Sequence, residues 1–278
     1  MKLLTDIHTH STHSHDGIDS LENMLSAALS KGAAFYGVSE HFDYDVIIAN
    51  GKDPKIEDGA RAESYFHHAR HLQEDYQGAL NVCIGAEFGF MPNAYAHECY
   101  QACIQKYAPD FIVNSVHCLV GEDYYDGKPY YKKDGSVRDK KEVYGEYLEQ
   151  VLKSLSVPYH YDIVAHLGYV ERYAPYEDNG FYYADFPEQI DEILTTIIKK
   201  NKILEVNSNV KGGDGFLCKR DVLQRYYDLG GRLVSYASDA HGAKRILEKR
   251  DLVVATLKEI GFTFITVPYR GEYIKIEI

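Results

Sequence analysis

Leu3-Leu4-Thr5-Asp6-Ile7-His8-Thr9-His10 is a short apolar run that ends on two histidines. The same pattern recurs along the chain. Other runs end at Glu40-His41, Gly85-Ala86-Glu87, Ser115-Val116-His117, Ala165-His166 and Ser238-Asp239-Ala240-His241. Six of the 13 histidines therefore sit at strand-like ends, where they meet a few carboxylates. Residues i and i+2 of a strand share a face, so His8 with His10, or Asp239 with His241, can serve one site. A lone histidine at a strand end is more often an ordinary hydrogen-bonding residue. Six ends that each supply a ligand-type side chain point instead to a multinuclear centre for zinc, manganese or iron, built for hydrolysis. His67, His68, His71, His97 and His160 fall in expected helices or loops away from these ends.

Strand-like runs at 3–8, 34–39, 81–86, 110–116, 162–166, 203–207 and 232–237 alternate with amphipathic segments. Leu21, Met24, Leu25, Ala28 and Leu29 form one apolar stripe. Leu148, Val151, Leu152 and Leu155 form a second, and Ile190, Ile193, Leu194, Ile197 and Ile198 a third. A last helix is expected over 243–260, followed by a hairpin turning at Arg270-Gly271. Seven strand–helix units imply a parallel sheet, either open or closed. An open sheet gathers ligands mainly at its switch point, whereas every strand of a barrel opens onto one rim. Ligands from six of seven strands favour an α/β barrel. Long loops at about 42–57 and 118–138 fall on the expected site face.

The 278 residues are read as one domain, 1–278, with no linker or repeat. No run is apolar enough for a membrane span, and no secretory signal is apparent. The five cysteines lack framework spacing, which suits reduced thiols in a cytoplasmic protein. A net charge of −12 disfavours a nucleic-acid surface but not a small phosphorylated substrate bound through cations. There are 25 tyrosines and no tryptophan; most tyrosines are expected to pack long loops and some to line a pocket. Oligomeric state is not legible.

Asp6-x-His8-x-His10, Glu40-His41, Glu87, His117, His166 and Asp239-x-His241, in that order, resemble the polymerase and histidinol phosphatase (PHP) superfamily. Arg172-Tyr173 and Glu205-Val206-Asn207 bring the likeness nearest to its stand-alone histidinol-phosphate phosphatases. The resemblance implies a distorted (β/α)7 barrel with three divalent ions (zinc, iron or manganese) at the C-terminal rim. It implies one ion on His8, His10, Glu87 and Asp239, and a second on Glu87, His117 and His166. A third ion would take His41, His241 and Asp16, with His15 as the alternative to Asp16. Glu87, Asp239 and His241 are the implied catalytic groups. Arg172 and Lys211 are the implied phosphate-binding cations, Lys211 standing where relatives carry arginine. Asp6 is either an outer partner of a ligand histidine or a buried acid with backbone partners, and His13 is a loop or outer residue. The implied reaction is hydrolysis of L-histidinol phosphate in histidine biosynthesis. Another small phosphorylated metabolite is the alternative, and a non-catalytic metal-binding scaffold a more distant one. The acidic, tyrosine-rich loops after His41 and His117 are expected to supply substrate recognition.

Overall fold

The computed structural model describes residues 3–119, 121–210 and 215–278. From the N-terminus run β1 (Leu4–Asp6), α1 (Leu21–Ser30) and β2 (Ala33–Phe42). Then come α2 (Tyr44–Ala49), α3 (Pro54–Glu57), α4 (Gly59–Asp75) and β3 (Asn81–Gly89). They are followed by α5 (Ala94–Tyr107), β4 (Phe111–Ser115) and the small hairpin β5 (Cys118–Leu119) and β6 (Glu122–Asp123). Next are α6 (Lys140–Ser154), β7 (Ile163–Val164), α7 (Pro187–Lys199) and β8 (Ile203–Asn207). The chain finishes with α8 (Arg220–Asp228), β9 (Val234–Ala237), α9 (Arg250–Ile260), β10 (Phe264–Tyr269) and β11 (Glu272–Glu277).

Seven strands form one sheet in the order β1-β2-β3-β4-β7-β8-β9, every neighbouring pair parallel. The edges approach each other just beyond the strand ends. Asp239 N–H donates to the His8 carbonyl at 2.9 Å, and His10 N–H to the Ala240 carbonyl at 2.9 Å. Thr9 and Ala240 form a parallel bridge there. The result is the nearly closed (β/α)7 barrel that the ligand pattern implies. Its closure runs through the ligand-bearing segments themselves.

Two apolar layers hold the barrel. Inside it, Ile7, Cys83, Phe111, Val113, Ile163, Ala165 and Ile203 pack together with Val267 and Ile276 of the β10–β11 hairpin. The hairpin thus contributes to the inner core. Its turn is Arg270-Gly271, both with positive φ (52° and 81°), a geometry glycine suits. Outside, the helices bury the expected stripes: Leu21, Met24, Leu25 and Ala28 on α1, and Ile190, Ile193, Leu194 and Ile197 on α7. Leu29, read as part of the first stripe, is 39% exposed. Ser20 caps α1, and Asp139 caps α6 through the N–H groups of Lys141 and Glu142.

The last helix differs from the sequence reading. Residues 243–245 make only a short turn, and α9 begins at Arg250. Leu247 and Lys249 take left-handed φ values of 63° and 56°, which no α-helix accommodates. The Leu247 N–H instead donates to Asp6 Oδ2 at 2.9 Å. Hydrophobic periodicity does not register such a break. All five cysteines are free and buried.

Phe111 fills the barrel interior, its ring lying where any side chain on Gly85 would have to go. Phe111→Ala should lower unfolding free energy by about 3–5 kcal/mol, read from denaturant or thermal unfolding. A loss below about 1 kcal/mol would contradict a packed interior.

Candidate metal centre

Strand ends deliver every ligand-type residue except Asp16, which sits in the loop between β1 and α1. The β2–β3 register sets His41 against Glu87, and Ser115 at the end of β4 donates its hydroxyl to Glu87 Oε1 at 2.5 Å. His166 follows β7 and Asp239 follows β9, both with positive φ (21° and 49°). For residues with a Cβ, such values are sparsely populated and cluster at functional sites. Here they turn the two side chains into the rim.

The nitrogen and oxygen atoms converge in three groups around Glu87. First, His8 Nε2 and His10 Nε2 lie 3.3 and 3.6 Å from Glu87 Oε2, and 4.0 and 3.4 Å from Asp239 Oδ1. Second, Glu87 Oε1 faces His117 Nε2 at 3.2 Å and His166 Nε2 at 3.1 Å, with those nitrogens 3.3 Å apart. Third, His41 Nε2 and His241 Nε2 are 3.4 Å apart, and Asp16 reaches them at 3.7 and 3.0 Å. His41 also turns Nδ1 to Glu87 Oε2 at 2.8 Å, the oxygen that faces His8 and His10, and its donor atoms lie within reach of Glu87 and His117 as well as of His10 and His241. His15, the alternative to Asp16, has a side chain 74% exposed, 4.0 Å from Asp43, and its ring lies 5.6 Å from that of His41. His13 pairs with His68 at 3.0 Å, away from these groups.

Outer contacts fix which atom each ligand presents. His8 Nδ1 bonds Glu205 Oε2 at 2.7 Å, leaving Nε2 to face Glu87. Glu205 Oε1 also accepts the His166 N–H at 3.1 Å and the Asn207 side-chain amide at 2.9 Å. Asp239 Oδ2 is engaged by Arg172 (3.3 Å), Asn207 (3.3 Å) and Asn209 (3.1 Å), which leaves Oδ1 to the histidines. Glu40 is not among the converging groups. It accepts the Ser11 N–H and the hydroxyls of Ser11 and Ser14, pinning the loop that carries Asp16. Asp43 Oδ1 sits 3.6 Å from His117 Nδ1 and 3.8 Å from His41 Nδ1. Asp6, of the two readings above, is the buried acid with backbone partners: it accepts the N–H groups of Ser238 and Leu247.

Charge is concentrated here. Burial alone would raise the Glu87 carboxyl, yet His8, His117 and His41 hold it well below the usual range. Burial likewise opposes a proton on His8, but Glu205 and Glu87 outweigh it. Burial beside His41 and His241 drops His10 to about 3. Four buried atoms, His8 Nε2, His10 Nε2, His41 Nδ1 and Glu87 Oε2, crowd together, and among the described residues none makes a well-directed hydrogen bond. Each such orphan costs about 1–3 kcal/mol. Bare imidazole nitrogens facing carboxylate oxygens are the donor set of zinc, iron or manganese, so the residues present fit divalent cations.

A cavity of about 470 Å³ opens over these groups. Arg172, Arg245, Asn209, Asp123, Tyr125 and Tyr173 are among its walls. The Arg172 side chain is 6% exposed, bonds Asp239 and Asn207, and lies 4.8 Å over the Tyr169 ring. Lys211 lies outside the described residues. Arg245 brings a further cation to the wall through Asn209 at 3.1 Å. Sequence reasoning assigned no role to Glu205, Asp43, Asn209, Arg245 or Asp123. Only Glu205 carried a signal: a carboxylate inside the apolar run Ile203-Leu204-Glu205-Val206 is costly without a partner.

Because Glu205 orients His8 and supports His166, Glu205→Gln should weaken divalent-metal affinity about 10- to 100-fold, measured by competition with a chelator. Unchanged affinity would remove Glu205 from the centre.

Residues 6–209 match the PHP domain family. A probable histidinol-phosphatase of Clostridium acetobutylicum is 28% identical over 242 residues, covering 86% of this chain and 87% of that protein. A histidinol-phosphatase of Lactococcus lactis is 28% identical over 260 residues, covering 92% and 91%. Among solved structures, histidinol phosphate phosphatase from Lactococcus lactis, complexed with zinc, L-histidinol and phosphate, superposes with a TM-score of 0.84. That likeness, at 26% identity, covers 98% of this chain and 99% of the other. Fold, rim and sequence agree: the chain belongs to the PHP domain family.

Proposed function

We propose that this chain is a metal-dependent phosphomonoesterase that hydrolyses L-histidinol phosphate to L-histidinol and phosphate. The observation that carries the reading is the convergence of His8, His10, His117 and His166 on the two oxygens of one buried glutamate, Glu87. The relatives named histidinol-phosphatase, matched over most of the chain, support the substrate. Residues 1–278 act as one such unit. Five buried, unpaired cysteines suit a cytoplasmic setting, and among the described residues no helix is long and apolar enough to cross a membrane.

The residues would hold three divalent ions. His8, His10, Glu87 and Asp239 serve one, Glu87, His117 and His166 the second, and His41, His241 and Asp16 the third. Zinc, which the Lactococcus relative binds, fits this donor set, as do manganese and iron. Ions held there supply Lewis acidity, lowering the pKa of a water and neutralising phosphoryl oxygens. The chain's own residues do the rest. Glu87, Asp239 and His241 line the cavity and are assigned as the catalytic groups. Glu205 and Asp43 keep the imidazoles turned toward it. Arg172 is locked against Asp239, Asn207 and Tyr169, so its charge is already in place when the phosphate arrives.

L-histidinol phosphate should be turned over better than a generic aryl phosphate after metal reconstitution. Arg172→Ala should raise KM and lower kcat/KM about 10- to 150-fold, the loss of one charge-assisted contact, with metal content intact. If histidinol phosphate were no better than the aryl ester, the substrate assignment would fall and only phosphoesterase activity would remain.

A further inference from the structure

The cavity is larger than a phosphate requires, and its volume falls in the range of sites that enclose whole small molecules. Its acids are not equivalent. Asp16 is matched to His241 at 3.0 Å, Asp43 lies between His41 and His117, and Asp239 is bonded by Arg172. Asp123, on β6, is different. Its Oδ1 accepts the Tyr125 N–H at 2.8 Å, and among the described residues no ion pair within 4 Å engages it, although the charge of His117 acts on it from farther off. An aromatic wall joins it to the phosphate end of the cavity. Tyr125 meets Tyr173 edge-to-face at 5.2 Å, Tyr173 meets Tyr169 at 5.8 Å, and Arg172 lies over Tyr169. An anionic group held at Arg172 leaves room for an organic arm along these tyrosine rings toward the Asp123 carboxylate.

We propose that Asp123, with Tyr125 and Tyr173, holds the cationic organic arm of the substrate and makes the pocket selective for phosphate esters of amino alcohols. This rests on the phosphomonoesterase reading and goes further, naming the groups that choose the ester. Tyrosine faces attract a cation, and a carboxylate accepts a charge-assisted hydrogen bond from an ammonium. A neutral alcohol gains neither contact. Specificity would thus lie with β6, the residues just after it and Tyr173, on side chains other than those that take the phosphate.

The test is Asp123→Asn, assayed as metal-loaded full-length protein on L-histidinol phosphate, ethanolamine phosphate and the neutral esters glycerol phosphate and 4-nitrophenyl phosphate. The ratio of kcat/KM for amine-bearing over neutral esters should fall about 10- to 100-fold. The inhibition constant of L-histidinol should rise by a similar factor, while that of inorganic phosphate changes less than about threefold. Equal losses on both ester classes, or an unchanged ratio, would overturn the proposal, as would a wild-type enzyme with no preference for amines. Wild-type protein that hydrolyses ethanolamine phosphate but not histidinol phosphate would sink the histidinol reading alone, and the variant's ratio on the simpler pair would still decide Asp123.

Discussion

The buried carboxylate of Glu87 organises the rim. Both its oxygens face imidazole nitrogens, drawn from β1, β2, β4 and β7, at 2.8–3.6 Å. With Glu87 1% exposed, its charge must be answered by the residues around it or by cations they hold. The fold is arranged to bring those residues within reach. A parallel barrel places all strand ends on one rim, and the β2–β3 register sets His41 beside Glu87. The hydrogen bonds that close the barrel run between the His8–His10 and Asp239–Ala240 segments. The sheet closes through the same segments that carry ligands.

Rigidity comes from the groups behind the ligands. Glu205 orients His8 and holds the backbone of His166, whose φ of 21° is unfavourable without such support. Asn207, Asn209 and Arg172 together occupy one oxygen of Asp239, so the other has a single direction left to face. Glu40 does comparable work for the loop bearing Asp16, through two serines. Removing any of these should loosen the centre without deleting a ligand.

Much of this was legible in the chain. Apolar runs ending on His8-Thr9-His10, Glu87 or Asp239-Ala240-His241 announce both strand and ligand, because alternation and residue type reinforce each other. The barrel followed from the number of strands contributing. What lay beyond reach depends on contacts distant in sequence. Glu205 finds His8 across 197 positions, and periodicity carries no trace of that pairing. The break at Leu247 and Lys249 is a backbone event, anchored by Asp6 from the opposite end of the chain. Asp123 looked like one acid among many in a tyrosine-rich loop. Its distinction, the lack of an ion-pair partner among the described residues, exists only once the other acids are matched.

Metal analysis of the purified protein beside Glu87→Ala tests the central claim most directly. Elemental analysis after reconstitution should find up to three divalent ions per wild-type chain, since the donors form three groups around one carboxylate. The variant should lose occupancy at the two neighbouring positions together, and activity with it. Unchanged metal content and unchanged activity in Glu87→Ala would contradict the account.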